Sequence, residues 1–482
     1  MTLPHQPAVL AAAVAVVVAA LGWWTVPRLP TNPDECWPLV VVRRVRAGRR
    51  LYRGVFFGAG PWSVWVDRLL VRWWGERLLV MRRAVVVLSV AVAGAAWAWT
   101  AALGAPPYAG LTVAAGAVLM STALWTSDNH YGLWSRVGVL VALAAPLGID
   151  TPWMAAALGG TGLALALLNK YTLGLAAVPG VLAAGELSAV WAVGVAAVLV
   201  VAGYGVAARG GVGPSIVQRL LHNKRTFVAT GGSGFVSAWR TMLHRPPDQS
   251  LKEVRLTWGA YALTVLAAGL VAADLVASVV GDRAVSWPVL GLVVVALAAL
   301  WPRADGVHVR CSLPLWTAPG LVAADRLAPS LAVAWAVLLG LAGGVSAVVA
   351  VVERRGTRLP DATGTPFAGV NPWPWDLAEV LGGGEELRGL TRGTVLLLRP
   401  DAAVWYLATG LRNPTPYDYP LASPFGPDGQ QVLVENLRNG RVRYCCWKPA
   451  DAGALTPVVL EEYVASLPVL ATTRAGTLVS AR

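Results

Sequence analysis

One stretch of the sequence, from Ala84 to Ala208, is almost free of charge. Its charged side chains are Asp128, Arg136, Asp150, Lys170 and Glu186. In a water-soluble domain about one residue in four is charged. A stretch with this composition cannot form a hydrated surface, so it predicts helices buried in a membrane.

Further apolar segments recur over the first 352 residues, and the whole chain has a mean hydropathy of +0.58. A spanning helix needs about 20 apolar residues, and somewhat fewer where it is half-buried or broken. Eleven segments meet this condition: 8–24, 84–104, 109–126, 134–149, 152–168, 172–186, 188–208, 259–280, 287–301, 313–325 and 329–352. We therefore expect a polytopic α-helical membrane domain over residues 1–352.

The first polar loop, residues 25–83, is long and contains twelve arginines. Its two basic segments, which begin at Cys36 and Pro61, mix apolar and arginine positions at helical spacing. They also carry tryptophans, which favour the headgroup region of a membrane. These segments predict two helices lying in the membrane interface.

The tail, residues 353–482, predicts a small soluble α/β domain behind a Gly- and Pro-rich linker. Strands are predicted at 394–399 and 442–447, and helices at 401–409, 428–438 and 457–466. The tail holds thirteen acidic and thirteen basic residues, so the net charge of +13 lies wholly in residues 1–352. A basic membrane domain favours anionic partners such as lipid headgroups and polyprenyl phosphates. Nucleic acid is a poor partner, because spanning segments interrupt the basic residues.

The number of membrane crossings predicts the side of the membrane on which each polar cluster lies. With eleven spanning helices, the loops at 25–83, 127–133, 209–258 and 302–312 emerge on one face of the membrane, together with the tail. The opposite face has only short connections. Every polar cluster that could carry chemistry therefore lies on one side.

An acidic pair, Asp34 and Glu35, lies ten residues after the end of the first spanning segment, near the start of the arginine-rich loop. Ionisable groups near a membrane are costly and usually functional. A carboxylate here has two uses, as a general base or as a ligand for a cation. The structural alternative is that Asp34 caps the helix that follows, with Glu35 favourable in its first turn.

The loop continues through Leu51-Tyr52-Arg53, an aromatic turn and Gly60-Pro61. This order of features resembles the first extracytoplasmic loop of GT-C glycosyltransferases of the protein-mannosyltransferase and aminoarabinose-transferase type. The resemblance implies that Asp34 is the catalytic base, with Glu35 as a catalytic neighbour or metal ligand and Tyr52 as a substrate contact. Relatives often carry Asp after the Tyr-Arg, where this chain has Gly54, so an accessory carboxylate is missing.

A second acidic position lies in the loop after the third predicted helix, at Asp128. The resemblance makes Asp128 a catalytic candidate and His130 a substrate contact. Together with Asp34 these side chains could bind Mg or Mn. The alternative is an ordinary polar turn between two membrane helices.

The resemblance also implies a site for the lipid phosphate. Lys170 interrupts an apolar run, and Arg303, His308 and Arg310 lie together in the loop before a Leu-Pro helix. Arginine presents a planar fork to phosphate oxygens. The alternatives are a snorkelling lysine and a basic juxtamembrane anchor.

Three further residues carry weaker signals. Asp274 lies inside a spanning segment, where it either pairs with an arginine or lines a cavity. The tail segment 406–420 resembles a stretch that follows the membrane domain in bacterial members of the superfamily. Its Arg412 and Tyr417 are candidate acceptor contacts.

These observations predict a glycosyltransferase that moves a sugar from a polyprenyl-phosphate donor to a lipid or polysaccharide acceptor. The alternatives are a transporter or flippase for lipid-linked sugars and a non-catalytic binding protein. The resemblance places the active site and tail on the extracytoplasmic side of the plasma membrane. The positive-inside rule favours the opposite orientation, so the two arguments conflict.

Overall fold

A computed structural model describes residues 6–121, 130–183, 187–208, 251–301, 306–418, 429–449 and 457–481. Two predicted site residues, Asp128 and Arg303, lie outside the described residues, as does most of the polar loop at 209–258. The chain divides into two compact units. The first comprises residues 1–29, 82–202 and 233–357, and the second comprises residues 30–81, 203–232 and 358–482.

Eleven of the described helices belong largely to the first unit. They are α1 (Gln6–Thr25), α4 (Leu78–Ala102), α5 (Pro107–Met120), α6 (His130–Gly148), α7 (Pro152–Leu167), α8 (Tyr171–Leu182), α9 (Leu187–Ala208), α10 (Leu251–Val280), α11 (Trp287–Leu300), α12 (Gly306–Leu327) and α13 (Pro329–Arg354). Each overlaps one of the eleven predicted segments. The predicted polytopic helical architecture is therefore confirmed, and the protein is a multi-pass membrane protein.

Length and composition separate these helices into groups. Among the described residues, α1, α4, α6, α9, α10 and α13 are long and apolar enough to cross a membrane, while α5, α7, α8 and α11 are shorter apolar helices. The remaining helix, α12, is almost wholly buried from Val309 to Ala324. Because it is shielded by its neighbours, α12 tolerates a buried arginine and two internal prolines.

Glycines bring α6 and α7 into close contact. A Cβ atom added at Gly138 would lie 2.5 Å from the backbone oxygen of Gly162. In lipid, apolar side chains gain little by leaving their solvent, so helices associate through close backbone packing at small residues. The glycines of α6 and α7 thus permit a close backbone contact between the two helices.

The second unit joins the first loop to the tail. The loop contributes α2 (Pro33–Arg46) and α3 (Pro61–Trp74). The tail contributes α14 (Leu377–Thr391), β1 (Leu396–Leu398), α15 (Ala402–Thr409), α16 (Gly429–Arg438), β2 (Tyr444–Trp447), α17 (Val458–Ala465), β3 (Val469–Thr473) and β4 (Gly476–Ser480). Strand order is β1-β2-β4-β3. The β1–β2 pair is parallel, and β4 runs antiparallel to both β2 and β3.

The predicted strands and helices of the tail are confirmed, but α14, β3 and β4 were not predicted. Helix α14 contains three consecutive glycines, which in the sequence resemble a linker. Two of them pack against α15. A Cβ atom added at Gly384 would lie 2.3 Å from Cγ2 of Thr409, and one at Gly383 would lie 2.9 Å from the Trp405 ring. The glycines therefore permit a close helix–helix contact instead of a flexible joint.

Candidate active site

Helix α2 begins with a complete capping box. The Asn32 side chain accepts a hydrogen bond from the backbone N–H of Asp34 at 2.9 Å, and Glu35 Oε1 accepts one from the backbone N–H of Asn32 at 2.9 Å. Asn32 is the N-cap, so the interpretation that Asp34 caps the helix is wrong. Asp34 gives only its backbone N–H to this arrangement, and its carboxylate is not part of the cap.

The two members of the acidic pair therefore differ. Glu35 is buried and holds the start of α2 through its carboxylate. Asp34 is half-buried, one position earlier in the same first turn. The capping contact gives Glu35 a structural task, and its catalytic role stays a prediction.

The tyrosine of the predicted loop motif closes a tight turn. Tyr52 has a φ of 64°, its N–H donates to the Val55 oxygen at 2.7 Å, and its hydroxyl donates to the Ala59 oxygen at 2.6 Å. Burial raises the pKa of Tyr52 well above 10. These contacts describe a residue that shapes the turn, and its predicted role as a substrate contact stays a prediction.

Two arginines at the end of α2 bind the tail. Arg43 donates to the backbone oxygens of Tyr406 and Leu407 at 2.6 and 2.8 Å, and its Nε donates to Glu76 at 2.7 Å. The two backbone oxygens lie in the last turn of α15, where a cation is favourable. Arg43 therefore ties α2 to α15 and to the residues after α3.

Arg44 makes a second set of contacts, to the tail loop 411–418. It donates to Asp418 Oδ1 at 2.5 Å and to the Thr415 oxygen at 2.7 Å, and it also reaches the Gly54 oxygen at 3.0 Å. Its guanidinium thus joins α2, the Tyr52 turn and the tail loop. Planar arginine suits such a three-way contact because its donors are fixed in a fork.

The tail loop is itself rigidly built. Asn413 donates to Asp418 Oδ1 at 3.0 Å, and its own side-chain oxygen accepts from the Thr415 backbone N–H at 2.9 Å. The Phe56 N–H donates to the Pro416 oxygen at 2.8 Å, and the Phe56 ring packs near Tyr417 at 6.0 Å between centroids. Tyr417 is therefore a buried packing residue, and its role toward an acceptor stays a prediction, as does that of Arg412.

Asp418 is the buried carboxylate of this network. Burial raises its pKa to about 6, against the opposing effects of Arg44, Asn413 and Arg43. Sequence reasoning missed both Arg44 and Asp418. The signal available was the Asn-Pro-Thr-Pro-Tyr-Asp run at 413–418, which is typical of a rigid turn.

In the first unit, the predicted lysine lies at a helix break. The backbone N–H of Lys170 donates to Ser135 Oγ at 2.8 Å, between α7 and α8. His130 is buried and begins α6, five residues before Ser135, about 7.5 Å along the helix. The structure therefore brings His130 and Lys170 to the same end of the α6–α7 pair.

The predicted basic loop at 302–312 is partly helical. Helix α12 begins at Gly306, so His308 and Arg310 lie within it. Residues two apart leave a helix about 200° apart, and accordingly Arg310 is buried while His308 is half-buried. Both residues lie in a helix, so the expectation that they lie in a loop is wrong. Their proposed phosphate contacts stay predictions.

The buried carboxylate of α10 has a structural partner. Arg326 donates through Nε to both oxygens of Asp274, at 3.0 and 3.1 Å, and through Nη2 to the Ala284 oxygen at 2.7 Å. Of the two alternatives for Asp274, pairing with an arginine is therefore confirmed. This pair ties α10 to the end of α12.

A metal site is not assembled within the described parts of the chain. No group of three His, Cys, Asp or Glu side chains with ligand geometry occurs there. Asp128, a member of the predicted Mg or Mn set, lies outside those parts.

Comparison with known proteins identifies the fold. No protein-family model matches the sequence, and no curated protein matches it. Among solved structures, the chain is similar to ArnT from Cupriavidus metallidurans bound to undecaprenyl phosphate. The TM-score is 0.56 at 15% identity, over 100% of this chain and 99% of that chain. It is also similar to the Archaeoglobus fulgidus oligosaccharyltransferase in complex with zinc and sulfate, with a TM-score of 0.53 at 13% identity, over 90% of this chain and 67% of that chain.

The similarity to ArnT extends over the spanning helices, the first loop and the tail together. ArnT and the oligosaccharyltransferase are both polytopic membrane proteins of the GT-C superfamily. The chain therefore has the GT-C fold, as the loop motif predicted.

Proposed function

We propose that this protein is a membrane glycosyltransferase that moves a sugar from a polyprenyl-phosphate donor to an acceptor hydroxyl. The observation that supports this most is the full-length likeness to ArnT, a protein crystallised with undecaprenyl phosphate. The acceptor is a lipid or a polysaccharide. The reaction takes place on the extracytoplasmic face of the plasma membrane.

In the proposed reaction Asp34 acts as general base. Its carboxylate takes the proton of the acceptor hydroxyl as that oxygen attacks the anomeric carbon. The new bond joins the acceptor oxygen to this carbon, and the bond between the carbon and the phosphate oxygen breaks. Its electron pair leaves with the polyprenyl phosphate. A single direct displacement of this kind inverts the anomeric centre.

The leaving phosphate needs positive charge or hydrogen-bond donors. We assign this task to Lys170, Arg303, His308 and Arg310, with His130 at the same end of the first unit as Lys170. Fixed donors aimed at developing charge provide much of the rate in such reactions, and positioning of the two substrates provides much of the remainder.

The test is sugar transfer by the purified full-length protein, supplied with polyprenyl-phosphate sugars and an acceptor mixture from its own membranes. We expect Asp34→Asn to lower kcat by at least 100-fold, the scale of general-base catalysis. The thermal unfolding temperature of each variant, measured alongside, separates a loss of chemistry from a loss of folded protein.

The adjacent residue needs a variant of its own. Glu35→Gln keeps an oxygen that accepts from the Asn32 N–H, so a loss of activity in this variant would reflect the predicted catalytic role of Glu35, and retained activity would leave Asp34 as the catalytic carboxylate of the pair. Transfer that survives Asp34→Asn would overturn the assignment of the base. A wild-type protein that binds and moves lipid-linked sugar across vesicles without transferring it would support a transporter instead.

The side of the membrane on which the tail lies needs a separate measurement. A single cysteine placed at exposed Arg441 of the tail should react with an impermeant maleimide in intact cells, if the tail is extracytoplasmic. The native cysteines are buried, and the parent protein reports any background. Labelling only after lysis would reverse the proposed orientation and favour the positive-inside rule.

A further inference from the structure

We propose that Arg44 and Asp418 form a positioning pair that sets the placement of α2, the helix that carries Asp34. The tail loop 411–418 is then a working part of the catalytic apparatus. This inference rests on the proposed function, because it assigns a role toward the same reaction.

The first support is that the tail also makes hydrogen bonds to the residue that lies just before α2. Just before the helix, the Thr31 N–H donates to the Trp373 oxygen at 2.8 Å, and the Thr31 hydroxyl donates to the Asn371 oxygen at 2.7 Å. Both acceptors belong to the segment that leads into the tail domain. The residue three positions before Asp34 is thus fixed by the tail.

The far end of the helix is fixed by Arg44. This residue lies ten positions after Asp34, about 15 Å along α2. Its partners come from the tail loop, at Asp418 and Thr415, and from the Tyr52 turn, at Gly54. The tail therefore holds α2 at both ends. It determines how the helix is rotated about its axis and where the helix lies along that axis.

Burial makes the Arg44–Asp418 contact specific in geometry. The Asp418 side chain is 0% exposed and that of Arg44 is 13% exposed. Asp418 Oδ1 is shared by Arg44 and Asn413, and Oδ2 is buried with no hydrogen-bond partner in the described part of the protein. A buried charge pair tolerates little rearrangement, because a displaced partner leaves an uncompensated charge.

Small displacements at Arg44 matter because the helix transmits them to Asp34. A reacting group misplaced by about 1 Å can lose about 100-fold in rate. The helix has 14 residues, and its interior positions are buried from Leu39 to Val42. Pro38 lies inside the helix, between Asp34 and Arg44, and its ring removes one backbone donor. The buried packing from Leu39 to Val42 is therefore what carries a displacement from Arg44 to Asp34.

The tail contains a matched control pair that does not contact α2. Arg399 donates through Nε to Asp401 Oδ1 at 2.5 Å, and its Nη1 donates to the Ala475 oxygen at 2.5 Å. The side chains of Arg399 and Asp401 are 5% and 18% exposed. This is also a buried Arg–Asp pair, but it connects only parts of the tail.

The experiment compares the two pairs in the full-length protein in lipid nanodiscs. The variants are Asp418→Asn and Arg44→Lys for the positioning pair, and Asp401→Asn and Arg399→Lys for the control pair. For each we would measure kcat, the KM for the polyprenyl-phosphate sugar, the unfolding temperature, and amide hydrogen exchange in α2 and α14.

We expect Asp418→Asn to lower kcat at least tenfold, with KM for the donor within twofold, and to speed exchange in α2 but not in α14. Arg44→Lys, which keeps the charge but loses the fork, should fall between this variant and wild type. The control variants should lower the unfolding temperature by a similar amount and leave kcat within twofold.

Three results would count against the inference. If the control variants lose as much kcat as Asp418→Asn, the pair only stabilises the fold and the inference is overturned. It is also overturned if exchange in α2 rises while kcat is unchanged. An inactive wild-type protein would overturn the proposed function, and the inference with it, so the two failures are distinguishable.

Discussion

The two compact units hold their helices together in different ways. In the first unit, neighbouring helices meet backbone to backbone at glycines, as at Gly138 and Gly162 of α6 and α7 and at Gly116 and Gly343 of α5 and α13. In the second unit, α2 is joined to the tail by the side chains of Arg43 and Arg44. These contacts of the first unit depend on the absence of side chains, and the contacts between α2 and the tail depend on their presence, although α14 and α15 of the second unit also meet at Gly383 and Gly384.

The difference follows from the surroundings. Lipid tails are as apolar as leucine, so burial of apolar side chains drives helix association weakly and close packing must replace it. In the second unit, charge-assisted hydrogen bonds from arginines to backbone oxygens join α2 to the tail. Added volume should therefore damage the first unit most, and lost donors should damage the second.

The largest loss of stability should come from Gly138→Leu. The new side chain would begin 2.5 Å from the Gly162 oxygen, a distance that forces α6 and α7 apart. We expect a loss of about 3 kcal/mol in unfolding free energy, the upper end of the usual cost of overpacking, and little folded protein on size exclusion. Gly194→Leu in α9, where nothing lies within 4 Å, is the control. Equal recovery of the two variants would show that close packing is not what joins these helices.

The next largest effect is the change in the unfolding free energy with pH that Asp418 causes. Its pKa is about 6 when folded and ordinarily 3.8, so between these values the folded state binds the proton more tightly than the unfolded chain. Its contribution to the unfolding free energy is therefore greatest below about pH 4 and falls as the pH rises to about 6, by up to about 3 kcal/mol. Arg44 and Arg43 of α2 and Tyr406 of α15 are the charged or titratable groups that act on it.

Denaturant titrations from pH 4 to pH 8 would measure this. The difference in stability between wild type and Asp418→Asn should change with pH in that window and stay constant above about pH 7. A constant difference throughout would mean that Asp418 does not titrate there.

A smaller effect should follow Arg43→Ala. This change leaves the Tyr406 and Leu407 oxygens without the guanidinium and Glu76 without its ion pair. We expect a loss of about 2 kcal/mol. Arg46→Ala, three residues along and exposed, should change stability by less than about 0.5 kcal/mol. Similar losses in both variants would show that general charge matters here, instead of the contacts to α15.

The smallest effect should follow Asp274→Asn in the first unit. The Arg326 side chain is 34% exposed and keeps its bond to the Ala284 oxygen, so the loss should be about 1 kcal/mol. Thermal unfolding in detergent would measure it. A loss larger than that of Arg43→Ala would show that polar contacts are as important in the first unit as in the second.

The sequence predicted the spanning helices well because hydropathy acts locally: a long apolar segment is helical in lipid whatever its neighbours are. The prediction from sequence failed where contacts between residues far apart in the chain determine the structure. The three glycines of α14 resemble a linker until Trp405 and Thr409 are placed beside them.

The same limit applies at the site. The acidic pair and the Tyr52 turn were recognised from short motifs. The cap at Asn32 was missed although the sequence signals it, because Asn followed three residues later by Glu is typical of a capping box. The helical start of α12 at Gly306 has no such signal in the motif. The contact between Arg44 and Asp418 joins residues 374 positions apart. No periodicity in the sequence could have shown it.

The union of residues 30–81 with residues 358–482 also bears on how the protein is made. The ribosome synthesises the first loop early, yet the tail residues that receive Arg43 and Arg44 follow after every spanning helix. At about 5–20 residues per second, the roughly 400 residues from the loop to the end of the tail take roughly 20 to 80 seconds. During that interval the buried face of α2 has no tail to cover it. Insertion of the helices and completion of the loop are therefore separate events in biogenesis, and a ribosome that stalls before the tail would leave an inserted protein whose first loop is unfinished.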